Sequence, residues 1–455
     1  MSPEEKQLVR KIDLCLLPII CTIDFLQFLD KSTISYAATM DFREDLQLDG
    51  FHYSFIGSIF YLGYLLYQLP NNYLLQRMPV GRYIGIIVTL WGVVLTCTAA
   101  ANNFSQVAAM RFLLGFFEAG VYPSLTLLVS TFYRRSEQAA RLGAFWLCNG
   151  IALFLGGLIS YGIQEMPNTY GLARWKWVMI ILGSTTTFVG IFSFFFLIDN
   201  PKAASLSLNA EQEILVEERT RDNAVFRTTM IKKEQIIEAL KEVRFWALCF
   251  ACLFINMQNG AMTTYNSQIA VGLGFSRLNA VLLSIGTGVA DIVFIIIAVF
   301  CVNRYKQTVY TAIGLMIVDI IGLVLLFSLP NLHSRLVGYY LSWAYPAVYV
   351  LLCTIISNNV SGYTKKIFYN GATMIFYTIG NFCGPFLMIE GEAPSYTTGM
   401  AVYVAADVVV IFLLLIARHQ MVKINRERLS TNTVVMTHVE DDLSDIQDKN
   451  FLYRL

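Results

Sequence analysis

The chain reads as an all-α integral membrane protein with about twelve transmembrane helices in two six-helix bundles, because apolar runs of about 20 residues recur along it and a bilayer core of about 30 Å needs that length. Its composition points the same way. Of 455 residues, 56% are hydrophobic and only 14% charged, far more apolar than a soluble domain of this size requires. The charges are also segregated into short joints, the two ends and one central stretch.

Backbone in lipid must satisfy its own hydrogen bonds, so each apolar run is expected to be helical. The runs span about 12–36, 52–74, 82–101, 106–130, 140–163, 175–198, 244–270, 278–301, 308–329, 336–357, 367–389 and 397–417. Orientation follows from the joints. The even-numbered ones carry Arg77 and Arg82, then Arg134, Arg135 and Arg141, then Arg304 and Lys306, then Lys365 and Lys366. The odd-numbered ones carry only Arg43, Arg174, Arg277 and Arg335. The positive-inside rule therefore expects both termini in the cytosol.

The longest joint, 199–243, is dense in both signs and divides the runs six and six. The expected organisation is a cytosolic N-terminus at 1–11, a first bundle at 12–198, a linker at 199–243, a second bundle at 244–418 and a flexible cytosolic tail at 419–455. Two halves around a midplane site is the arithmetic of a secondary transporter. Any solvated connector would share the linker's composition.

Several classes of function are disfavoured. There is no Ser-His-Asp order, no HExxH, no phosphate-cradling glycine loop and no repeated filter segment, so neither an enzyme nor a channel is expected. The net charge of +1 gives no reason to expect nucleic acid binding. The nine cysteines are mostly scattered inside apolar runs, and Cys249 with Cys252 has CxxC spacing without a second pair. The four histidines lack ligand spacing, so no metal or other cofactor is expected.

Ionisable groups inside the hydrocarbon are expensive and mark functional candidates. They are Asp24, Asp30 and Lys31 in the first run, Arg111 and Glu118 in the fourth, Asp291 in the eighth, Asp319 in the ninth and Asp407 in the twelfth. Arg111 and Glu118 are seven apart, hence on one helical face about 10 Å apart along the axis. Lys31 and Arg111 are candidate anion-binding groups, and Arg adds a bidentate fork. Glu118 is the candidate proton carrier, with Asp30 as the alternative. A fixed interhelical ion pair for Asp30 with Arg111, and a bonded protonated carboxyl for Glu118, are the competing readings. The seventh run is unusually polar. Its Asn256 and Asn259 are candidate substrate contacts, Tyr265 a candidate cover and Gly260 a candidate break point, while interhelical bonding is the plainer role for such groups. Asp291, Asp319 and Asp407 read equally well as packing residues. Gly380 and Gly384 with Asn381, and Gly156 with Gly157, fit close helix packing.

Several strings together carry a resemblance. They are Phe28-Leu-Asp30-Lys31-Ser-Thr-Ile-Ser-Tyr36, Arg77-Met-Pro-Val-Gly81-Arg82, Arg111-Phe-Leu-Leu-Gly115-Phe-Phe-Glu118-Ala-Gly120-Val-Tyr-Pro123 and Ser130-Thr-Phe-Tyr-Arg134-Arg135. Arg174-Trp-Lys-Trp177, Ser361-Gly-Tyr-Thr-Lys365-Lys366 and the tail residues Asp442-Leu-Ser-Asp445 and Asn450-Phe-Leu-Tyr453 complete the set. Over nearly its whole length the chain resembles the major facilitator superfamily, specifically the anion:cation symporters of the fungal allantoate-permease-like branch. The resemblance implies proton-coupled symport of a small organic anion, such as a ureide, a vitamin like nicotinate or pantothenate, or another carboxylate. A non-transporting nutrient sensor on the same scaffold is the alternative. The resemblance also implies a fungal cell, with the plasma membrane as the expected address and a vacuolar or endoplasmic reticulum one as the alternatives. It favours Arg77, Arg82 and Arg134 as a gating charge lock over the plainer reading of a positive-inside signal alone; a monomer is expected. Arg77-Met-Pro-Val-Gly81-Arg82 lacks the family's aspartate, and Asp291 stands where the pattern has an uncharged polar residue.

Overall fold

The computed structural model describes residues 3–75, 77–133, 135–167, 169–198, 212–216, 232–329, 332–431 and 443–455. Every expected apolar run falls on helix. In chain order the helices are α1 (Pro3–Ala37), α2 (Phe42–Asp45), α3 (Gly50–Leu75), α4 (Val80–Thr98), α5 (Phe104–Glu118), α6 (Val121–Phe132), α7 (Arg135–Gln164) and α8 (Arg174–Phe196). There follow α9 (Lys233–Lys241), α10 (Val243–Gly272), α11 (Arg277–Tyr305), α12 (Thr308–Ser328), α13 (Leu332–Leu341), α14 (Tyr345–Asn359), α15 (Tyr363–Cys383) and α16 (Thr397–Thr431). Among the described residues, nine helical segments are long and apolar enough to cross a membrane. Large apolar side chains such as Phe195 (72% exposed), Phe300 (66%) and Phe412 (60%) cover the surface of these helices, as lipid-facing surface should.

Two expected spans are broken by proline. Pro123 has no N–H to return to the Ala119 carbonyl, and the fourth run accordingly splits into α5 and α6 just after Glu118. Pro346 likewise leaves the Ser342 carbonyl free, splitting the tenth run into α13 and α14. Gly260, by contrast, does not break the seventh run. α10 is continuous through it, because its bare Cα lets the Asn381 backbone of α15 approach.

The chain divides into two compact units, residues 1–225 with 263–288, and residues 226–262 with 289–455. In the first unit α4 packs along α8 through Gly85, Gly92, Gly183 and Gly190, each abutting the facing helix. α3 meets α5 reciprocally: Gly63 faces the Phe112 carbonyl and Gly115 faces the Phe60 carbonyl. Small residues allow this contact where lipid offers no hydrophobic drive between helices. Residues 263–288 group with the first unit, where their side chains and backbone bond. Ser267 N–H donates to Ser35 Oγ at 3.0 Å, Tyr53 OH donates to the Thr264 carbonyl at 2.7 Å, and Arg277 pairs with Asp41 and Glu44.

In the second unit the tail departs from expectation. Residues 419–431 continue α16 as helix, and residues 443–455 are tied down at one end of the unit. The Thr308 N–H at the start of α12 donates to the Leu455 carbonyl at 2.8 Å, Asn425 exchanges two bonds with Tyr453, and Arg428 donates to the Asp445 carbonyl at 2.6 Å. A polar segment stays ordered when its backbone and charges find such partners.

Candidate functional site

α1 carries Asp24, Gln27 and Asp30, all buried in the first unit, and the partly exposed Lys31. α5 carries Arg111 and Glu118 on one face and, through the Gly63–Gly115 contact, lies hard against α3. Lys31 Nζ stands 3.1 Å from Glu118 Oε1. The Glu118 side chain is fully buried, whereas that of Lys31 is 17% exposed. The rings of Phe60 and Tyr64, both 5.8 Å from the ammonium, wall it in. Gln27 lies beside the carboxyl.

Arg111 and Asp30 occupy the next layer. Arg111 Nη2 donates to Thr33 Oγ1 at 3.1 Å, and Thr33 Oγ1 donates to the Asp30 carbonyl at 2.6 Å. Thr186 Oγ1 of α8 donates to Asp30 Oδ2 at 3.1 Å. The arginine and the aspartate are therefore held through threonines, rather than by the direct pair that the sequence left open. The direct charge contact is instead Lys31 with Glu118. Helical projection cannot see that contact, because it joins two helices.

Tyr265 lies in the same unit. Its hydroxyl shares a 2.7 Å hydrogen bond with Ser54 Oγ, and its ring meets Tyr53 edge-on at 5.1 Å. Asn256 and Asn259 lie in the second unit. Asn381 of α15 joins them: its Nδ2 donates to Asn256 Oδ1 at 3.2 Å and its Oδ1 accepts from Asn259 Nδ2 at 2.7 Å. Tyr345 OH donates to Asn259 Oδ1 at 3.2 Å. Sequence reasoning gave Asn381 only a packing role. Its neighbours Gly380 and Gly384, which bring α15 onto α10, were the signal that it would face these amides.

The basic rim divides. Arg77 stacks on Tyr73 at 4.4 Å and Arg82 is exposed, while Arg134 lies outside the described residues. Arg141 pairs with Asp13 of α1 at 3.0 Å and stacks on Tyr133. Glu238, Glu242 and Asp445 bring carboxylate oxygens within 4.8 Å of one another in the second unit, a spacing suited to a metal ion. The Lys365 ammonium already sits among them, 2.7 Å from Glu238 and 2.8 Å from Asp445 and touching Glu242.

A family model described as Major Facilitator Superfamily matches residues 20–389. The chain belongs to that superfamily. Among similar fungal members, the allantoate permease of Saccharomyces cerevisiae is 31% identical, covering all of this chain and 88% of its own. A thiamine pathway transporter of the same yeast is 30% identical over all of this chain and 86% of its own. An uncharacterized transporter of Schizosaccharomyces pombe is 32% identical over 87% of this chain and 78% of its own. The superfamily fold is seen directly in solved structures. A bacterial homolog of the human lysosomal transporter Spinster superposes with a TM-score of 0.66 at 14% identity, covering 92% of this chain and 96% of that one. A D-xylose–proton symporter gives 0.65 at 12% identity, covering 90% and 97%. This superfamily member is thus a multi-pass membrane transporter, and its homologues are transporters rather than enzymes.

Proposed function

We propose that this transporter is a proton-coupled symporter of a small organic anion, with Lys31 as the anion-binding group and Glu118 as the proton carrier. The observation that carries the reading is the 3.1 Å contact between them. A substrate carboxylate and the Glu118 carboxylate compete for one ammonium. When Glu118 takes a proton its attraction for Lys31 falls, and Lys31 turns its charge to the incoming anion. When the proton leaves on the other side, Glu118 reclaims Lys31 and expels the substrate. One proton thus accompanies one anion, because each protonation state of Glu118 favours one occupant.

Arg111 supports the same site as a second positive group, and Asp30 is its nearest alternative proton carrier. Asn256 and Asn259 are proposed to hydrogen-bond the polar part of the substrate, with Tyr265 as a cover. Arg77, Arg82 and Arg134 are proposed to hold one of the two alternating conformations. Both termini are assigned to the cytosol of a plasma-membrane monomer, on the loop charges and the resemblance. The names of the relatives favour allantoate-like ureides and vitamin-related compounds as first substrates to try.

The test is uptake of a labelled panel of organic acids and vitamins by cells expressing the protein, at acidic and neutral external pH, with and without a protonophore. Acid-stimulated, protonophore-sensitive accumulation of one anion supports the reading. Accumulation indifferent to both sinks it.

A further inference from the structure

Far from Glu118 in the chain, a second pair of membrane carboxyls lies in the other unit. Asp319 of α12 and Asp407 of α16 are both fully buried, and their carboxyls are within hydrogen-bonding reach of each other. Among the described residues neither pairs with a Lys, Arg or His. Asp319 Oδ2 and both oxygens of Asp407 accept no hydrogen bond.

The surroundings of the two are unequal. The break at Pro346 leaves the Ser342 carbonyl without a helical N–H partner. Gln258 of α10 spans the break, donating from Nε2 to Asp319 Oδ1 at 3.2 Å and to the Ser342 carbonyl at 3.0 Å. Asp319 therefore has an N–H donor on one oxygen. Among the described residues, neither oxygen of Asp407 has such a donor. The phenol of Tyr345 is turned away to Asn259. Among the described residues, no salt bridge reaches either carboxyl from α10, α12, α13, α14 or α16.

Two carboxylates in contact inside hydrocarbon cannot both be ionised, since like charges at this range and the loss of water both oppose it. We propose that Asp319 and Asp407 form a proton-binding site, with one proton carried by Asp407 and donated to Asp319. The site is built independently of Lys31 and Glu118. It reaches the polar face of α10 through Gln258, which neighbours Asn259 in sequence.

The test is infrared spectroscopy of the purified full-length protein at neutral pH, reading the C=O stretch of protonated carboxyl groups, which requires no transport. Wild type is expected to show a carboxylic-acid band that is lost in Asp407→Asn. The band should be shifted in Asp319→Asn, where the acceptor changes, and it should remain in Glu118→Gln. Asp407→Glu keeps a carboxyl and should move the band without removing it, which serves if Asp407→Asn does not fold. A band unchanged in both asparagine variants overturns the proposal. So does a wild-type protein with no such band, or one whose band vanishes on adding sodium chloride in place of potassium chloride, since a sodium ion would then be the occupant. Failure of proton-driven uptake, with this band pattern intact, would count against the Glu118 reading alone.

Discussion

Arg244 and Asp445, 201 positions apart in sequence, are joined at 2.6 Å in a pair that solvent hardly reaches. Asp445 also contacts Lys365 at 2.8 Å and accepts from Tyr453 OH at 2.6 Å, while Arg244 donates to the Asn359 carbonyl at 3.0 Å. The start of α10, the end of α14, the start of α15 and the tail thus share one charge cluster. Burial raises the pKa of Asp445, but Arg244 and Lys365 more than reverse this and hold the carboxyl below its ordinary value.

That cluster sets a stability prediction. Asp445→Ala leaves two buried cations without this partner, and removing one member of a buried pair costs about 3–5 kcal/mol. The thermal midpoint of the purified protein should fall, and a variant with the wild-type midpoint would remove the tail from the stabilising contacts. The pH dependence follows from the sign of the shift. A carboxyl depressed in the folded state contributes its stability above the unfolded carboxylate value of about 4, and loses it as pH falls through the lower folded value. Wild type should therefore lose thermal stability on acidification through this window more steeply than Asp445→Asn, which has nothing to protonate.

The contact between α3 and α5 yields a second prediction. A Cβ at Gly115 would strike the Phe60 carbonyl and one at Gly63 the Phe112 carbonyl, both of them backbone. Gly115→Val should push the helices apart and move Arg111 and Glu118 with α5, at a cost of about 1–3 kcal/mol for overpacking. Reduced yield of monodisperse protein and lost uptake are expected. Wild-type uptake by Gly115→Val would show that the register of α5 is not critical.

How much of this was legible follows from what a single helix can reveal. Apolar runs of membrane length placed the helices, since that signal is local. The same rule located Lys31, Arg111 and Glu118 as costly groups in lipid. It could not say that Lys31 meets Glu118, or that Asp319 meets Asp407, because those contacts join helices whose relative rotation no periodicity encodes. Pro123 and Pro346 were visible as residues, and the free carbonyls they create could have flagged helix breaks. The tail was read as flexible from its polarity. Its anchors, Arg244, Asn359 and Lys365, lie up to two hundred residues away, and nothing local announces them.

Arg111 supplies the third prediction. Its guanidinium is almost fully buried and donates to Thr33. Arg111→Ala should abolish uptake while leaving membrane expression intact, and Arg111→Lys should restore little of it, because an ammonium lacks the planar fork. Surface labelling and uptake measured in the same cells separate the two effects. Normal transport by Arg111→Ala would reduce the residue to a structural bond.

The last prediction concerns coupling at Glu118. In wild type the carboxylate and the substrate anion compete for Lys31, so substrate binding and protonation of Glu118 favour each other. Glu118→Gln keeps the shape but never carries charge, so Lys31 no longer has an internal competitor in either conformation. Substrate should then bind without a proton, and exchange of internal for external substrate should persist. Accumulation driven by an imposed pH gradient should disappear, because no group at this site exchanges a proton. Lys31→Ala should behave differently: it removes the anion's partner and should weaken both exchange and net uptake, by about one to two kcal/mol in apparent binding for a charge-assisted bond. The decisive measurement compares net uptake with counterflow in the same vesicles under a pH gradient. If Glu118→Gln still concentrates substrate in response to that gradient, the proton is carried elsewhere, with Asp30 next on α1 and the Asp319–Asp407 pair after it.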